Sequence, residues 1–296
     1  MIVTLDAFSG LANPWWELSE KDSRQLIERV AHRALDAAHV ADSVLGYRGL
    51  VVEAGRDDQV PEGTLASFRV SGPLPQGYQR PESKLAALSV NEADETARFL
   101  LSTGREFLDE GLFAFVEQAA RMRAEAPVAE RIVEDKEALK LATVAAPCII
   151  HNTPYNPGFW NQPNVQPYNN CYNYGMNWRS NTFAQPGRIS GHQYTAINCS
   201  NVGAAASWDG CKPTCVGSNK NVALVIAPGP GFIDYHWYRR HSQGFWGHKP
   251  GGTAARNTDN SGRVIDGVHL TPANCNRGPY TIFCGYRFSP TGMHVR

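Results

Sequence analysis

The chain has 296 residues, of which 42% are hydrophobic and 19% are charged, with equal numbers of acidic and basic side chains. This composition excludes a fibrous or intrinsically disordered chain and predicts one large folded domain or two ordinary ones. No apolar run approaches the roughly 20 residues that a membrane helix needs. The first residues lack the basic start and apolar stretch of an export signal, so we expect a cytoplasmic protein or one exported by a non-classical route.

The zero net charge conceals an uneven distribution along the chain. Residues 1–140 carry 24 acidic and 16 basic side chains, whereas residues 141–296 carry 4 acidic and 12 basic ones. This asymmetry predicts two domains of different character, with boundaries at 1–125 and 148–296 and a linker over 126–147. Because opposite potentials steer docking, we expect the acidic domain to dock on the basic one within the same chain.

Strand and helix signals follow one another over residues 1–125 and predict a small α+β domain with an accessory or regulatory role. Alternating apolar residues predict three strands, over 2–7, 49–54 and 65–70. Ser19 and Ser89 each stand three residues before an acidic side chain, which is the spacing of a capping box at a helix N-terminus. The second helical region is interrupted near Gly104 and resumes beyond it.

The linker, 126–147, is rich in alanine and glutamate and is expected to be partly helical. All cysteines lie beyond it, at Cys148, Cys171, Cys199, Cys211, Cys215, Cys275 and Cys284. An odd number leaves at least one free thiol if the others pair. The count is compatible with three disulfides and equally with seven reduced thiols in a cytosol.

The segment after the linker, rich in Asn, Pro and aromatic residues, predicts an ordered loop that leads to Cys171. A short helix is expected to begin there, so that the sulfur would lie in the partial positive charge of the helix N-terminus. A thiol site also needs a histidine within reach of the sulfur, a polar group that orients that histidine, and donors for an oxyanion.

The sequence supplies candidates for the histidine and for the group that orients it. Three antiparallel strands are predicted, over 222–227, 234–240 and 245–249. His236 lies in the middle of the second strand, and His248 follows twelve residues later on the return strand. A hairpin turn between them places the two positions roughly opposite each other, which suits a base and its orienting partner.

Other residues compete for the remaining roles. Gln166, five residues before Cys171, is the candidate donor to an oxyanion, in competition with the two asparagines that directly precede the cysteine, Asn169 and Asn170. Asp259 or Asn257 could orient the histidine in place of His248, although the Asn-Ser-Gly run beside them favours an ordinary turn. His241 is expected on the surface near the hairpin turn.

A metal centre is the main chemical alternative. Cys211 and Cys215 could supply thiolate ligands together with Cys199, or together with His269 and Cys275. Their spacing is permitted but not distinctive, so disulfides or core cysteines are favoured, and we predict neither a metal nor another cofactor. No phosphate-binding loop, dinucleotide fingerprint or HExxH motif occurs. The Lys and Arg residues of the basic half are scattered, which argues against a nucleic-acid partner.

A cysteine that opens a helix, a strand histidine downstream and a second histidine about twelve residues later resemble the NlpC-type branch of the papain-like cysteine peptidases. The resemblance covers roughly residues 165–250 and implies a papain-like catalytic domain with an antiparallel sheet. Carried over, Cys171 is the nucleophile, His236 the base and His248 the orienting residue. The run Asn-Cys-Tyr around Cys171 departs from the Asp-Cys-Ser common in that family.

The resemblance predicts a bacterial cysteine peptidase or amidase that cleaves a peptide or protein substrate through a thioester intermediate. Two alternatives stay open: transglutaminase- or deamidase-type acyl transfer by the same dyad, and a non-enzymatic binding or toxin module stabilised by disulfides. The identity of the free thiol discriminates between them, because a single free thiol at Cys171 favours an enzyme.

Overall fold

A computed structural model of the chain describes residues 1–55, 58, 60, 64–121, 133–134, 148–216 and 219–296. Most of the predicted linker, 126–147, lies outside the described residues. The chain divides into two compact units, each built from several segments. Unit 1 comprises Met1–Ala7, Asn13–Asp42 and Tyr47–Ala126, and unit 2 comprises Phe8–Ala12, Ser43–Gly46 and Pro127–Arg296. The predicted boundaries did not include the two short N-terminal segments that belong to unit 2.

Unit 1 combines a sheet with three helices in the described part of the chain. Its strands are β1 (Ile2–Asp6), β2 (Trp15–Glu17), β3 (Asp36–Ala37), β4 (Gly49–Glu53) and β5 (Ser67–Val70). They form an antiparallel sheet in the order β2-β1-β4-β5-β3. Its helices are α1 (Glu20–Val30), α2 (Val90–Thr103) and α3 (Glu110–Arg121), and a short 3-10 helix, Arg105–Phe107, lies before α3. The three predicted strands correspond to β1, β4 and β5.

The helix starts predicted in unit 1 are confirmed. Ser19 accepts a hydrogen bond from a backbone amide in the first turn of α1, and Ser89 forms a complete capping box with Glu92. The predicted interruption is also present, because α2 ends with Gly104 as its C-cap. A Cβ atom at Gly104 would lie 2.5 Å from the indole of Trp16. The close approach of that ring therefore requires glycine at this position.

Unit 1 contains a buried cluster of charged side chains. The carboxylate of Asp6 accepts hydrogen bonds from the guanidinium groups of Arg48 at 2.7 Å and Arg69 at 2.9 Å. Burial by itself raises the pKa of Asp6, but attraction by the two guanidinium groups outweighs it and lowers the pKa to about 2. Asp6 is therefore ionised, and each charge compensates the burial of the others.

Unit 2 is built around a second sheet. The strands are β6 (Val133–Glu134), β7 (Val222–Pro228), β8 (Ile233–Arg240), β9 (Trp246–His248) and β10 (Ile282–Arg287). Across the described ranges they lie in the order β6-β10-β7-β8-β9, antiparallel except for the β6–β10 pair. The helices are α4 (Pro157–Trp160), α5 (Cys171–Met176) and α6 (Cys199–Trp208), with a 3-10 helix at Gln166–Tyr168. The three predicted strands correspond to β7, β8 and β9.

A buried carboxylate anchors the N-terminal segment of unit 2. Asp234, on β8, accepts hydrogen bonds from the backbone amides of Ser9 at 2.6 Å, Gly10 at 3.1 Å and Leu11 at 3.1 Å. The hydroxyl group of Tyr280 donates to the same carboxylate at 2.6 Å. Burial raises the pKa of Asp234, and the hydrogen bonds from Tyr280 and the amides offset only part of this effect. These donors replace the water that the buried carboxylate has lost.

Helices and mostly antiparallel strands occur in both units, which confirms the α+β class expected from the sequence. Within the described ranges, no helix combines the length and the apolar character needed to cross a membrane.

Candidate functional site

Cys171 opens α5, as the sequence predicts, and Asn170 caps the helix through hydrogen bonds from two amides of its first turn. The sulfur lies 3.8 Å from the carbonyl oxygen of Tyr235, and the backbone amide of Trp237 donates to it. Both partners are backbone groups of β8, and the cysteine has no exposed surface. The side chains of Tyr235 and Trp237 belong to the same buried cluster as the sulfur.

The surroundings of Cys171 favour the neutral thiol. Burial raises its pKa well above the ordinary value, and the neighbouring Asp234 raises it further. The amide of Trp237 and the ammonium group of Lys249 lower the pKa, but by less. A nucleophilic cysteine needs the opposite combination, a stabilised thiolate and access to solvent. The six-residue helix therefore does not activate this sulfur.

The two histidines that the sequence pairs are hydrogen-bonded to each other, with His236 Nε2 lying 3.0 Å from His248 Nδ1. His248 Nε2 lies 2.9 Å from the carbonyl oxygen of Thr258, which places the proton of His248 on Nε2 and makes Nδ1 the acceptor. His236 thus donates through Nε2. The strand register pairs Tyr238 with His248, so the two histidines are diagonal neighbours and not directly opposite each other.

Aromatic rings enclose the histidine pair. The ring of His236 contacts those of Tyr238, His248 and Tyr280 at centroid distances of 4.9, 5.1 and 5.8 Å. Burial, assisted by the nearby Arg256, lowers the pKa of His248 to about 3. On β8, His236 lies between Tyr235 and Trp237, whose side chains cluster with the Cys171 sulfur. Successive side chains of a strand point to opposite faces of the sheet, so His236 lies on the face opposite to Cys171. The pair is therefore a hydrogen-bonded element of the interior.

Gln166 takes part in the structure through its backbone. Lys249 is completely buried, and its ammonium group donates to the carbonyl oxygen of Gln166 at 2.6 Å. It also donates to the carbonyl oxygens of Asn169 and Gly251. Lys249 thereby fixes the loop that leads to Cys171. Lys249 was not predicted to have this role, although a lysine directly after a buried strand and before a Pro-Gly-Gly turn is unusual enough to mark it.

The remaining candidates have structural roles. Asp259 is buried, accepts two backbone amides of its own turn and pairs with Arg263 at 2.9 Å. His241, expected on the surface, is only 4% exposed, and its Nε2 lies 2.7 Å from the hydroxyl oxygen of Tyr174. The prediction of exposure was wrong because Tyr155 and Tyr174, which pack against the imidazole, come from distant parts of the sequence.

Two disulfides and three free thiols account for the cysteines. The disulfides join Cys148 to Cys215 and Cys199 to Cys284, and the free cysteines, all buried, are Cys171, Cys211 and Cys275. The disulfides occupy Cys199 and Cys215, which were possible metal ligands. Among the residues described, no group of three or more His, Cys, Asp or Glu side chains could hold a metal ion. Because three thiols are free, the disulfide pattern does not identify Cys171 as a nucleophile.

An open groove of about 430 Å³ lies near the end of the sheet where β7 begins and β8 ends. Its lining includes the cations Lys220 and Arg240, the aromatic residues Trp246, Tyr286 and Phe288, and the hydroxyl side chain of Thr271. None of the described residues that line it is acidic. This groove was not predicted, because its residues come from separate segments and its cations look scattered along the chain.

Comparison with known proteins separates the competing interpretations. The chain is 43% identical over 138 residues to insoluble matrix shell protein 1 of Ruditapes philippinarum, a match that covers 46% of this chain and 88% of that protein. The chain belongs to the family of that matrix protein. No protein-family model matches this member of the insoluble matrix shell protein family, and no solved structure gives a significant match to it.

Membership of the insoluble matrix shell protein family corrects the prediction of a cysteine peptidase or amidase. The relative is a matrix protein and not a hydrolase, and it comes from a mollusc, so the bacterial assignment is also wrong. The physical reason lies in the motif itself, because a helix-opening cysteine and a strand histidine also satisfy ordinary core packing. We therefore propose no catalytic role for Cys171, His236, His248 or Gln166.

Proposed function

We propose that this protein is a non-enzymatic, disulfide-stabilised structural component of an insoluble extracellular matrix. The observation that carries the proposal is the 43% identity to a matrix shell protein across 88% of that protein's length. This function corresponds to the non-enzymatic module that the sequence left open as an alternative.

The state of the cysteines supports this proposal. Disulfides such as Cys148–Cys215 and Cys199–Cys284 are typical of oxidising compartments, including the extracellular space. The free thiols are buried, and burial raises the pKa of each of them. A protein exposed to an oxidising matrix for long periods benefits from thiols that neither react nor exchange.

The buried cations of unit 2 also favour a structural role. Arg239 donates to the carbonyl oxygen of Gly175 at 2.9 Å, and Arg287 donates to that of Gly203 at 2.8 Å. Lys249 makes the same kind of contact with three carbonyl oxygens. These interactions join loops and helices to the sheet, and they use the positive charges for internal support.

Sequential extraction of the source tissue tests the proposal. An antibody raised against the recombinant chain should find the protein in the pellet after washing with salt, and in solution only after treatment with denaturant and reductant. Recovery in the soluble fraction at physiological salt, with all seven cysteines open to alkylation, would refute a matrix role.

Thiol labelling of the native protein is a second test, aimed at the chemistry. Iodoacetamide should modify Cys171 no faster than Cys211 or Cys275, which serve as internal controls of equal burial, and all three should react once the chain is unfolded. Rapid and selective labelling of native Cys171 would contradict a non-enzymatic function.

A further inference from the structure

The groove lined by Lys220 and Arg240 has the chemistry of a ligand site that a purely structural role does not require. We propose that it binds an acidic polysaccharide, a sugar chain that carries sulfate or carboxylate groups. Its volume of about 430 Å³ lies within the range of roughly 300 to 1,000 Å³ that is usual for sites of small ligands. The inference depends on the groove itself and stands apart from the matrix role.

The aromatic residues give the groove a fixed apolar wall. The rings of Trp246 and Tyr286 lie 5.3 Å apart with their planes inclined at 32°, and Phe283 packs edge-on against Tyr286 at 5.0 Å. Trp246 is only 4% exposed and packs against the ring of Tyr286. The partly exposed ring of Tyr286 is therefore the surface on which the apolar face of a sugar can stack without further ordering.

The cations determine the charge of the ligand. Lys220 is exposed, with its ammonium group 6.0 Å from the centre of the Tyr286 ring. Arg240 donates from Nε to the carbonyl oxygen of Gly244 at 3.3 Å. Among the described contacts neither cation has an acidic partner. Guanidinium and ammonium groups placed in this way bind sulfate and carboxylate oxygens.

The acidic residue nearest in sequence to the groove lining forms no described ion pair with Lys220 or Arg240. Asp266 precedes Gly267, which lines the groove. Its carboxylate accepts hydrogen bonds from the backbone amides of Val268, His269 and Leu270 and contacts the His269 ring at 3.0 Å. These donors hold the carboxylate within its own loop. None of the described lining residues is acidic, so an anion that enters the groove meets Lys220 and Arg240 directly.

Several features favour a sugar chain over an acidic peptide. Both ligands could satisfy Lys220 and Arg240, but a sugar also uses the exposed part of the Tyr286 ring. The side-chain amide of Asn219, which is exposed and also lines the groove, suits the many hydroxyl groups of a carbohydrate. A peptide rich in aspartate would leave the ring of Tyr286 without a partner.

Isothermal titration calorimetry on the full chain tests this inference with a chondroitin sulfate hexasaccharide, a neutral cellohexaose and a hexa-aspartate peptide. We expect the sulfated sugar to bind most tightly, and its affinity to fall as salt is added. The K220E variant should weaken binding at least tenfold, and R240Q should weaken it several-fold. R188E is the matched control, because Arg188 is exposed and does not line the groove; it should change the affinity less than twofold.

Three outcomes would overturn the inference. Tighter binding of hexa-aspartate would make the partner an acidic peptide, and equal losses in K220E and R188E would reveal diffuse attraction without a site. Absence of binding heat with the sulfated sugar at low salt would show that the groove is not a binding site. Because Lys220 is exposed, K220E should keep the circular dichroism spectrum of the unaltered chain. None of these results bears on the extraction test, so the two proposals can fail separately.

Discussion

The two units bury carboxylates in different ways. In unit 1, Asp6 lies against two guanidinium groups, and its pKa is lowered to about 2. In unit 2, Asp234 is held by backbone amides and a phenol, and its pKa is raised. The contrast teaches that full positive charges outweigh the cost of burying an anion, whereas neutral donors offset only part of it.

The same contrast extends to the basic side chains. In unit 1, Arg48 and Arg69 meet the carboxylate of Asp6. In unit 2, Arg239 meets a carbonyl oxygen, and burial lowers its pKa to about 10. Two buried imidazoles of unit 2, those of His241 and His248, have lowered pKa values too. The buried arginines of unit 1 are thus held by an anion, and Arg239 of unit 2 by a neutral dipole.

The largest effect we expect from this difference is that unit 2 unfolds at a higher pH than unit 1. Burial lowers the pKa of His248 to about 3 and that of His241 to about 4, from an ordinary value of 6.5. The stability that they contribute is complete above pH 6.5 and is lost as the pH falls towards these values. At about 1.4 kcal/mol per pKa unit, unit 2 loses on the order of 5 kcal/mol by about pH 4.

The stability that the Asp6 carboxylate contributes to unit 1 is lost only as the pH falls from 3.8 to about 2. Unit 1 should therefore still be folded at pH 4. Hydrogen exchange resolved by peptide distinguishes the units as the pH is lowered. The H241Q variant, which keeps a partner for Tyr174 but cannot titrate, should shift the unfolding of unit 2 to lower pH, and H192Q on the exposed surface should not. Unfolding of unit 1 at a higher pH than unit 2 would contradict the prediction.

Removal of the Asp6 carboxylate should produce the next largest effect, confined to unit 1. The D6A substitution leaves two buried guanidinium groups without their anion, which costs about 3 to 5 kcal/mol of the free energy of unfolding. Urea unfolding followed through the tryptophans measures this loss. D36A is the control, because Asp36 pairs with the partly exposed Arg80 and should cost less than about 1 kcal/mol. Equal losses would show that burial is not the deciding factor.

Loss of a disulfide should weaken unit 2 and leave unit 1 unchanged. Cys199 and Cys284 are 85 residues apart in sequence, and replacing both by serine should lower the stability of unit 2 by about 2 to 4 kcal/mol. Peptide-resolved hydrogen exchange again reports each unit by itself. Reductant added to this variant isolates the contribution of Cys148–Cys215. Faster exchange in the strands of unit 1 would show that the disulfide does not act on unit 2 alone.

The smallest effect concerns the carboxylate that receives backbone amides. D234N keeps one acceptor oxygen but presents an amino group to donors, and we expect it to destabilise unit 2 by about 2 kcal/mol. D266N is a close control, because Asp266 also accepts three backbone amides but is exposed, so water can replace the lost oxygen. Thermal unfolding of the two variants gives the difference, and an equal shift in both would contradict a burial effect.

The sequence predicted those features that depend on neighbouring residues. Capping by Ser19 and Ser89, the interruption at Gly104 and the helix at Cys171 all follow from local chemistry. The hydrogen bond between His236 and His248 follows from a hairpin, although the register differs from the expected one. These patterns are short in sequence, and propensity and capping largely determine them.

Features that depend on distant segments were beyond the sequence pattern. The burial of His241 requires Tyr155 and Tyr174, and the groove around Lys220 requires residues from several strands and loops. The enzyme prediction was wrong for a related reason. Spacing between a cysteine and a histidine indicates which residues can approach, but the accessibility and pKa of the Cys171 thiol depend on the rest of the core.

The hydrogen bond from Ser9 to Asp234 also bears on how this chain is synthesised. The two residues are separated by 225 positions, so the first loop of unit 2 leaves the ribosome long before the strand that it joins. At about 5 to 20 residues per second, this loop waits on the order of ten seconds or more for its acceptor. Contacts of such long range also fold slowly. Unit 2 therefore cannot reach its native state before β8 has been synthesised, and during that interval its early segment is open to chaperones and proteases.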